Sequence, residues 1–151
     1  MRCVSTSESR RTTTASSREF VDLLVQTSFE VIAIVTRVGA EHDLSLTLVR
    51  VLGILRDRTL TMAELARYLG LERSTVTGLV DRAERRGLVI RKESAVDGRS
   101  ITLRLSPDGQ ALADGAVATV GERLTPIVEK LPAELAEMLP AVLGQLHEAR
   151  A

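Results

Sequence analysis

One short stretch in the middle of the sequence, residues 73–82, concentrates side chains that can bind a polar or anionic surface. Its apolar residues recur at three- and four-residue steps, which predicts a helix with one buried face. The side chains predicted to face away are Arg73, Ser74, Thr75, Thr77, Gly78, Asp81 and Arg82. Short hydroxyls at the positive end of a helix can bind phosphate oxygens or base edges. Taken alone, the same residues also fit an ordinary solvent-facing helix.

A second polar feature follows within twenty residues, in the stretch 94–105. The pair Asp97-Gly98 favours a tight turn, and the alternating apolar residues from Ile101 to Leu105 predict a half-buried strand. Arg99 stands beside the turn, where a guanidinium suits a narrow and strongly negative groove. Asp97 is able to restrain Arg99 through a charge-assisted hydrogen bond. The alternative is that Arg99 is an ordinary solubilising charge on a turn.

The elements that must position these two features are predicted by caps and glycines. Thr61 with Glu64 three residues later forms a capping box, which starts a helix that Gly70 can end. Only a turn separates that helix from the one beginning near Arg73, which ends at Gly87. Two short helices joined by a tight turn indicate a helix-turn-helix, and the hairpin directly after them indicates a wing.

Longer amphipathic helices are predicted on both sides of this centre. One runs over 18–38 and ends at Gly39, a second begins near Ser45, a third begins at Ser106-Pro107 and reaches about residue 130, and the last covers 131–146. The first and last carry more apolar surface than one central lobe can cover. Pairing of two copies would bury the surplus and set two recognition helices about 34 Å apart. The alternative is that these helices cap the core of their own monomer.

The predicted fold class is therefore mainly α with a small β-hairpin wing. Residues 1–17 are expected to form a disordered tail. Residues 43–105 form a winged helix-turn-helix lobe, and residues 18–42 together with 106–151 form a helical dimerisation region.

Charge and composition fit a lobe that meets a polyanion. The chain has 151 residues, with 20 Lys and Arg against 20 Asp and Glu. Between Arg56 and Arg104, however, eleven cations stand against seven anions, so this middle carries +4 and the rest −4. Such a stretch can also be a solvated face. Aromatic residues make up 2% of the chain, which argues against base-stacking platforms and carbohydrate grooves.

Several other classes of protein find no support in the sequence. Cys3 is the only cysteine, which excludes a disulfide framework and fits a reducing cytoplasm. The histidines, His42 and His147, are far apart, so no metal site is predicted. The longest apolar run, Val31–Val35, is short of the ~20 residues that span a bilayer, so no membrane association is expected. The sequence offers no nucleophile paired with a base, no pair of catalytic carboxylic acids and no phosphate-binding loop. Neither an enzyme nor a cofactor is therefore predicted.

The stretch 44–112 resembles the winged helix-turn-helix core of the MarR (multiple antibiotic resistance regulator) family. Its most specific parts are "STVTGLVDRAERRGLV" and an Asp-x-Arg wing followed, after five residues, by Leu-Ser-Pro-x-Gly. The resemblance implies a homodimeric, cytoplasmic bacterial transcription regulator that binds a pseudo-palindromic operator on double-stranded DNA. It further implies repression, the commoner mode in the family, with relief by a small-molecule effector.

The resemblance also assigns roles to residues by position. Ser74, Thr75 and Thr77 resemble the major-groove contacts, and Arg99 resembles the minor-groove arginine of the wing, with Asp97 as its orienting partner. The full set of residues expected to bind DNA is Arg73, Ser74, Thr75, Thr77, Gly78, Arg82, Asp97 and Arg99.

Two positions depart from the family pattern. Gly78 stands where relatives frequently carry a basic residue, and Gly98 replaces the first arginine of an Asp-Arg-Arg wing. Both bear on affinity and base preference. With the neutral net charge, they leave open an alternative, a winged-helix module that binds a protein partner without specific DNA binding. Cys3 precedes the first predicted helix by about fifteen residues, so the peroxide sensing of one family branch is not predicted here.

Overall fold

A computed structural model describes residues 6–93 and 101–148 of the chain. The described elements, in chain order, are α1 (Thr6–Ala40), α2 (Leu46–Leu55), β1 (Leu60–Thr61), α3 (Met62–Leu69), α4 (Arg73–Arg85), β2 (Val89–Glu93), β3 (Ile101–Leu105), α5 (Pro107–Val128) and α6 (Ala133–Glu148). The mainly helical fold with a small wing is confirmed.

The hydrophobic core lies in the central lobe. Helices α2, α3 and α4, the strands and the start of α5 contribute to a single cluster of buried side chains. Leu55, Leu65 and Leu103 are among its fully buried members and come from α2, α3 and β3. The predicted inner face of α4 is confirmed, because Val76, Leu79, Val80 and Ala83 are all buried. One apolar stripe thus fixes which side of α4 faces outward.

The helix boundaries of the lobe follow the caps read from the sequence. Ser45 accepts a hydrogen bond from the Leu48 N–H at the start of α2, and Thr61 and Glu64 form the predicted capping box at α3. The hydrogen bonds that the backbone N–H and then the hydroxyl of Thr61 donate to Glu64 lower the pKa of this carboxyl. Gly70 and Gly87 end α3 and α4 with positive φ angles of 67° and 71°.

The wing has one strand more than the sequence predicts. Strands β2 and β3 pair antiparallel with Val89 opposite Leu105 and Glu93 opposite Ile101. The two-residue strand β1 pairs with the other edge of β3, with Leu60 opposite Leu103, so the sheet order is β1-β3-β2. A strand of two residues is too short to show an alternating pattern, which is why it was missed.

Helix α1 begins earlier than expected. It starts at Thr6, so residues 6–17, expected as a disordered tail, continue the helix. Serine and threonine, which dominate this stretch, are weak helix formers, but extending an existing helix costs much less than nucleating one. The amphipathic segment that follows therefore supplies the nucleus. Residues 1–5, including Cys3, lie outside the described part of the chain.

The segment Arg18–Ala40 of α1, 23 residues, is long and apolar enough to cross a membrane by length and composition. The expectation of no such segment rested on unbroken apolar runs, which Glu30 and Arg37 interrupt. The mean hydropathy of the segment is nevertheless 1.4, because apolar residues outnumber the charged ones. Apolar helices of soluble proteins reach similar values. Ile34 and Val38 are buried, while Phe20, Leu23 and Phe29 are exposed in the single chain.

Helix α5 is joined to the end of α4 by contacts with the backbone. The Ser106 hydroxyl donates a hydrogen bond to the Gly87 carbonyl at 2.5 Å and accepts one from the Gly109 N–H at 2.9 Å. The Ser106 N–H also donates to the Leu88 carbonyl, at 3.0 Å. A Cβ on Gly109 would overlap the oxygen of that carbonyl and lie 2.8 Å from its carbon. Only glycine fits here.

Candidate nucleic-acid interface

The outward side of α4 carries the polar residues that the sequence singled out. Ser74, Thr75 and Thr77 are exposed, as are Arg73 and Arg82. The structure therefore brings these five onto the solvent side of one helix. Their contact with DNA stays a prediction.

The Thr77 hydroxyl already has one hydrogen bond. It donates to the Arg73 carbonyl one turn earlier, at 2.9 Å. Its proton is thereby engaged, so the side chain offers an acceptor oxygen and a methyl group to whatever lies above it. A methyl group suits apolar contact with thymine, and the oxygen suits a base amino group.

The first turn of α4 leaves backbone donors without side-chain acceptors. Glu72 precedes the helix with an extended conformation, φ −63° and ψ 143°, and its side chain makes no capping hydrogen bond. The first turn also contains no acidic residue. Unsatisfied N–H groups and the helix dipole make such an end favourable for an anion.

Gly78 is exposed in the middle of this surface. A Cβ built on it would meet nothing within 4 Å, so the space above it is open. Any side chain added here would project away from the protein. The departure from the family pattern at this position thus changes the outer surface of α4 and leaves its packing unchanged.

Gly78→Ala is expected to raise the free energy of unfolding by about 0.5–1 kcal/mol, because glycine inside a helix loses more backbone entropy than alanine. Denaturant unfolding measures this change. Gly53→Ala is the matched comparison, since Gly53 is an exposed glycine inside α2 with equally open space. Destabilisation by Gly78→Ala alone would contradict the open geometry.

The last turn of α4 is fixed to a distant turn of the chain. The Arg86 guanidinium donates hydrogen bonds to the carbonyls of Asp43, at 2.7 Å, and His42, at 2.9 Å. Asp43 has a positive φ of 54°, and its carbonyl is held by this contact in the turn between α1 and α2. Arg86 therefore positions the helix.

Arg91 is a residue that the sequence reasoning passed over. It lies on β2, and its guanidinium bonds two carboxylates of α4, those of Asp81 and Glu84. Spacing along the chain gives little warning of this contact, because the hairpin must fold back before the three residues meet. A carboxylate pair three residues apart on a helix was the one available signal.

Residues 94–100, which follow β2 in the sequence, lie outside the described residues. The predictions for Asp97, Gly98 and Arg99 fall there and stay predictions. Within residues 6–93 and 101–148, no three histidine, cysteine, aspartate or glutamate side chains come together as metal ligands would.

A helix-turn-helix followed directly by a small antiparallel sheet defines the class of winged helix-turn-helix proteins. The signature of the MarR family matches residues 42–100. The HTH-type transcriptional regulator FarR of Neisseria gonorrhoeae is 32% identical over 98 residues, which cover 64% of this chain and 67% of FarR. The HTH-type transcriptional repressor YetL of Bacillus subtilis (strain 168) is 29% identical over 93 residues. The chain belongs to the MarR family.

The aligned segment covers 62% of this chain and 56% of YetL, little more than half of that relative. Solved structures agree over a longer stretch. NadR in complex with 4-hydroxyphenylacetate superimposes with a TM-score of 0.70 and 27% identity, covering 82% of this chain and 88% of NadR. A point mutant of Staphylococcus aureus MepR bound to an oligodeoxyribonucleotide superimposes with a TM-score of 0.61 and 23% identity. The superposition covers 87% of this chain and 98% of MepR. At that identity the second likeness shows the fold alone.

Proposed function

We propose that the chain is a dimeric, cytoplasmic transcription regulator that binds a pseudo-palindromic DNA operator and represses until a small ligand relieves it. The observation that carries the proposal is the outward side of α4, where hydroxyls, cations and unsatisfied helix N–H groups share one surface beside the wing. A recognition helix presents its N-terminal residues to the major groove in this way. The wing then lies towards the next minor groove.

The names of the relatives are in keeping with a regulator that represses and that takes a small ligand. YetL is named a repressor, and FarR a regulator. The MepR mutant is bound to an oligodeoxyribonucleotide, and NadR to a small aromatic acid. None of these names describes an enzyme.

The dimer is supported by apolar surface that the single chain leaves uncovered. One side of α6, together with the residue two positions before it, carries large apolar side chains that are 40–59% exposed. They are Leu131, Leu135, Met138, Val142, Leu143 and Leu146. On α1, Phe29 is 66% exposed. If these helices covered the core of their own monomer, the side chains would be buried. Pairing with a second copy covers both stripes and sets two recognition helices side by side.

Fluorescence anisotropy with duplexes selected from a random pool tests the proposal. One sequence should emerge with two related half-sites about one helical turn apart. The logarithm of its binding constant should fall linearly with the logarithm of salt concentration, by about 0.9 for each phosphate neutralised. No retained duplex at low salt would favour the alternative, a winged-helix module for a protein partner.

Thr77→Ala and Arg99→Ala are each expected to weaken operator binding by about 1–3 kcal/mol, the usual scale for a specific DNA contact. Titration of the selected duplex measures this loss. Thr125→Ala is the matched control, because the exposed Thr125 hydroxyl also donates to a carbonyl four residues earlier, at 2.9 Å, but lies on α5. Unchanged affinity in both test variants would show that the assigned surface is wrong.

A further inference from the structure

Arg91 is the one described side chain that connects the wing to α4 through hydrogen bonds. Its Nη1 donates to Glu84 Oε2 at 2.8 Å, and its Nη2 donates to Asp81 Oδ1. The two carboxylates lie three residues apart, which places them one turn apart on the same side of the helix. A planar guanidinium binds both at once through a rigid fork of donors, which the ammonium group of lysine does not have.

The contact is partly shielded from water. The Arg91 side chain is 28% exposed, and those of Asp81 and Glu84 are 46% and 40% exposed. Hydrogen bonds between ionised partners are stronger than neutral ones and are directional. Arg91 also pairs with Leu103 of β3, which is fully buried in the core. Directly paired residues of antiparallel strands point to the same face of the sheet, so the ion pair lies on the core-facing side of the hairpin, and both contacts hold that side against α4.

The same contact changes the charge of the α4 surface. Asp81 and Glu84 are the acidic residues of this helix, and carboxylates near DNA repel phosphates. Bound to Arg91, they have one of their two negative charges offset. The group of three still carries one net negative charge, so it has little attraction for a phosphate of its own.

We propose that Arg91 is a positioning residue for DNA binding, one that holds the wing at a fixed angle to the recognition helix and offsets part of the negative charge of the two α4 carboxylates. This inference rests on the proposed function. Arg91 acts through Asp81 and Glu84 and makes no contact with DNA.

The test compares Arg91→Gln with two matched variants. Lys92→Gln removes the same charge from the next residue of β2, whose side chain points to the opposite side of the strand. Arg91→Lys keeps the charge and loses the two-pronged geometry. Each variant is titrated with the selected duplex over a range of salt concentrations, and hydrogen exchange of the amides in β2 and β3 is measured without DNA.

Arg91→Gln is expected to weaken binding about tenfold, equivalent to about 1.4 kcal/mol, with an unchanged salt slope and faster exchange in the wing. Arg91→Lys should recover only part of the affinity, and Lys92→Gln should leave wing exchange as it is. In a background of Asp81→Asn with Glu84→Gln, Arg91→Gln should cost much less, because coupled residues are not additive.

Three results would overturn the inference while the wild-type protein binds its duplex. A salt slope lower by about one unit in Arg91→Gln would make Arg91 a direct phosphate contact. Unchanged affinity or unchanged wing exchange would remove the positioning role. If the wild type binds no duplex, the proposed function fails instead, and the exchange measurement alone still decides whether Arg91 holds the wing to α4.

Discussion

Gly109→Ala is expected to lower the free energy of unfolding by about 3 kcal/mol, at the upper end of the usual cost of overpacking. The added methyl carbon would overlap the Leu88 carbonyl oxygen and lie 2.8 Å from its carbon. Both are backbone atoms, so no rotamer change can relieve the clash. The start of α5 must move away from the end of α4, which also stretches the Ser106 hydrogen bonds. Denaturant unfolding at equilibrium measures the loss.

Gly115→Ala provides the control for this prediction. It adds the same methyl group to the same helix at an exposed position, where nothing lies within 4 Å. We expect it to be neutral or slightly stabilising. Similar unfolding midpoints for the two variants would show that the close approach at Gly109 is absent in solution.

Leu135→Glu is expected to convert the dimer to monomers and to weaken operator binding about 100-fold or more. The side chain is 53% exposed in the single chain and lies at the centre of the apolar side of α6. A charge buried between two copies would be desolvated without a partner. A single copy binds one half-site only, so the gain from linking two binding events is lost. Sedimentation and duplex titration measure the two effects.

Ala141→Glu is the matched control for this experiment. At 100° per residue, Ala141 lies on the other side of α6, with Glu134 and Glu137. This variant adds the same charge to the same helix and should remain dimeric. A monomeric wild type, or a Leu135→Glu variant that remains a dimer, would contradict the assigned interface.

The sequence predicted best where a single local interaction decides the structure. The capping box at Thr61 and Glu64 and the left-handed residue at Gly70 each define a helix end within a few residues, and both were found as predicted. The inner face of α4 was equally plain, because its apolar residues repeat at helical spacing. Once the buried face of α4 is known, the residues of the candidate site that face outward on the same helix are known as well.

What the sequence left out depends on contacts between distant parts of the chain. The Arg86 bonds to His42 and Asp43 join residues more than forty positions apart. The Arg91 contact requires the wing to turn back onto α4, and β1 exists only because β3 offers a free edge. Helix α1 shows the opposite case, since the polar composition of residues 6–17 suggested disorder while the adjoining helix extends through them.

The two attachments of the lobe to the long helices also limit how the protein can move. Arg86 holds the far end of α4 to the turn after α1, and Ser106 with Gly109 holds it to the first turn of α5. The end of α4 is thus attached to both long helices, α1 and α5. A tilt of α1 or α5 in the proposed dimer would therefore move α4 with it and change the distance between the two recognition helices.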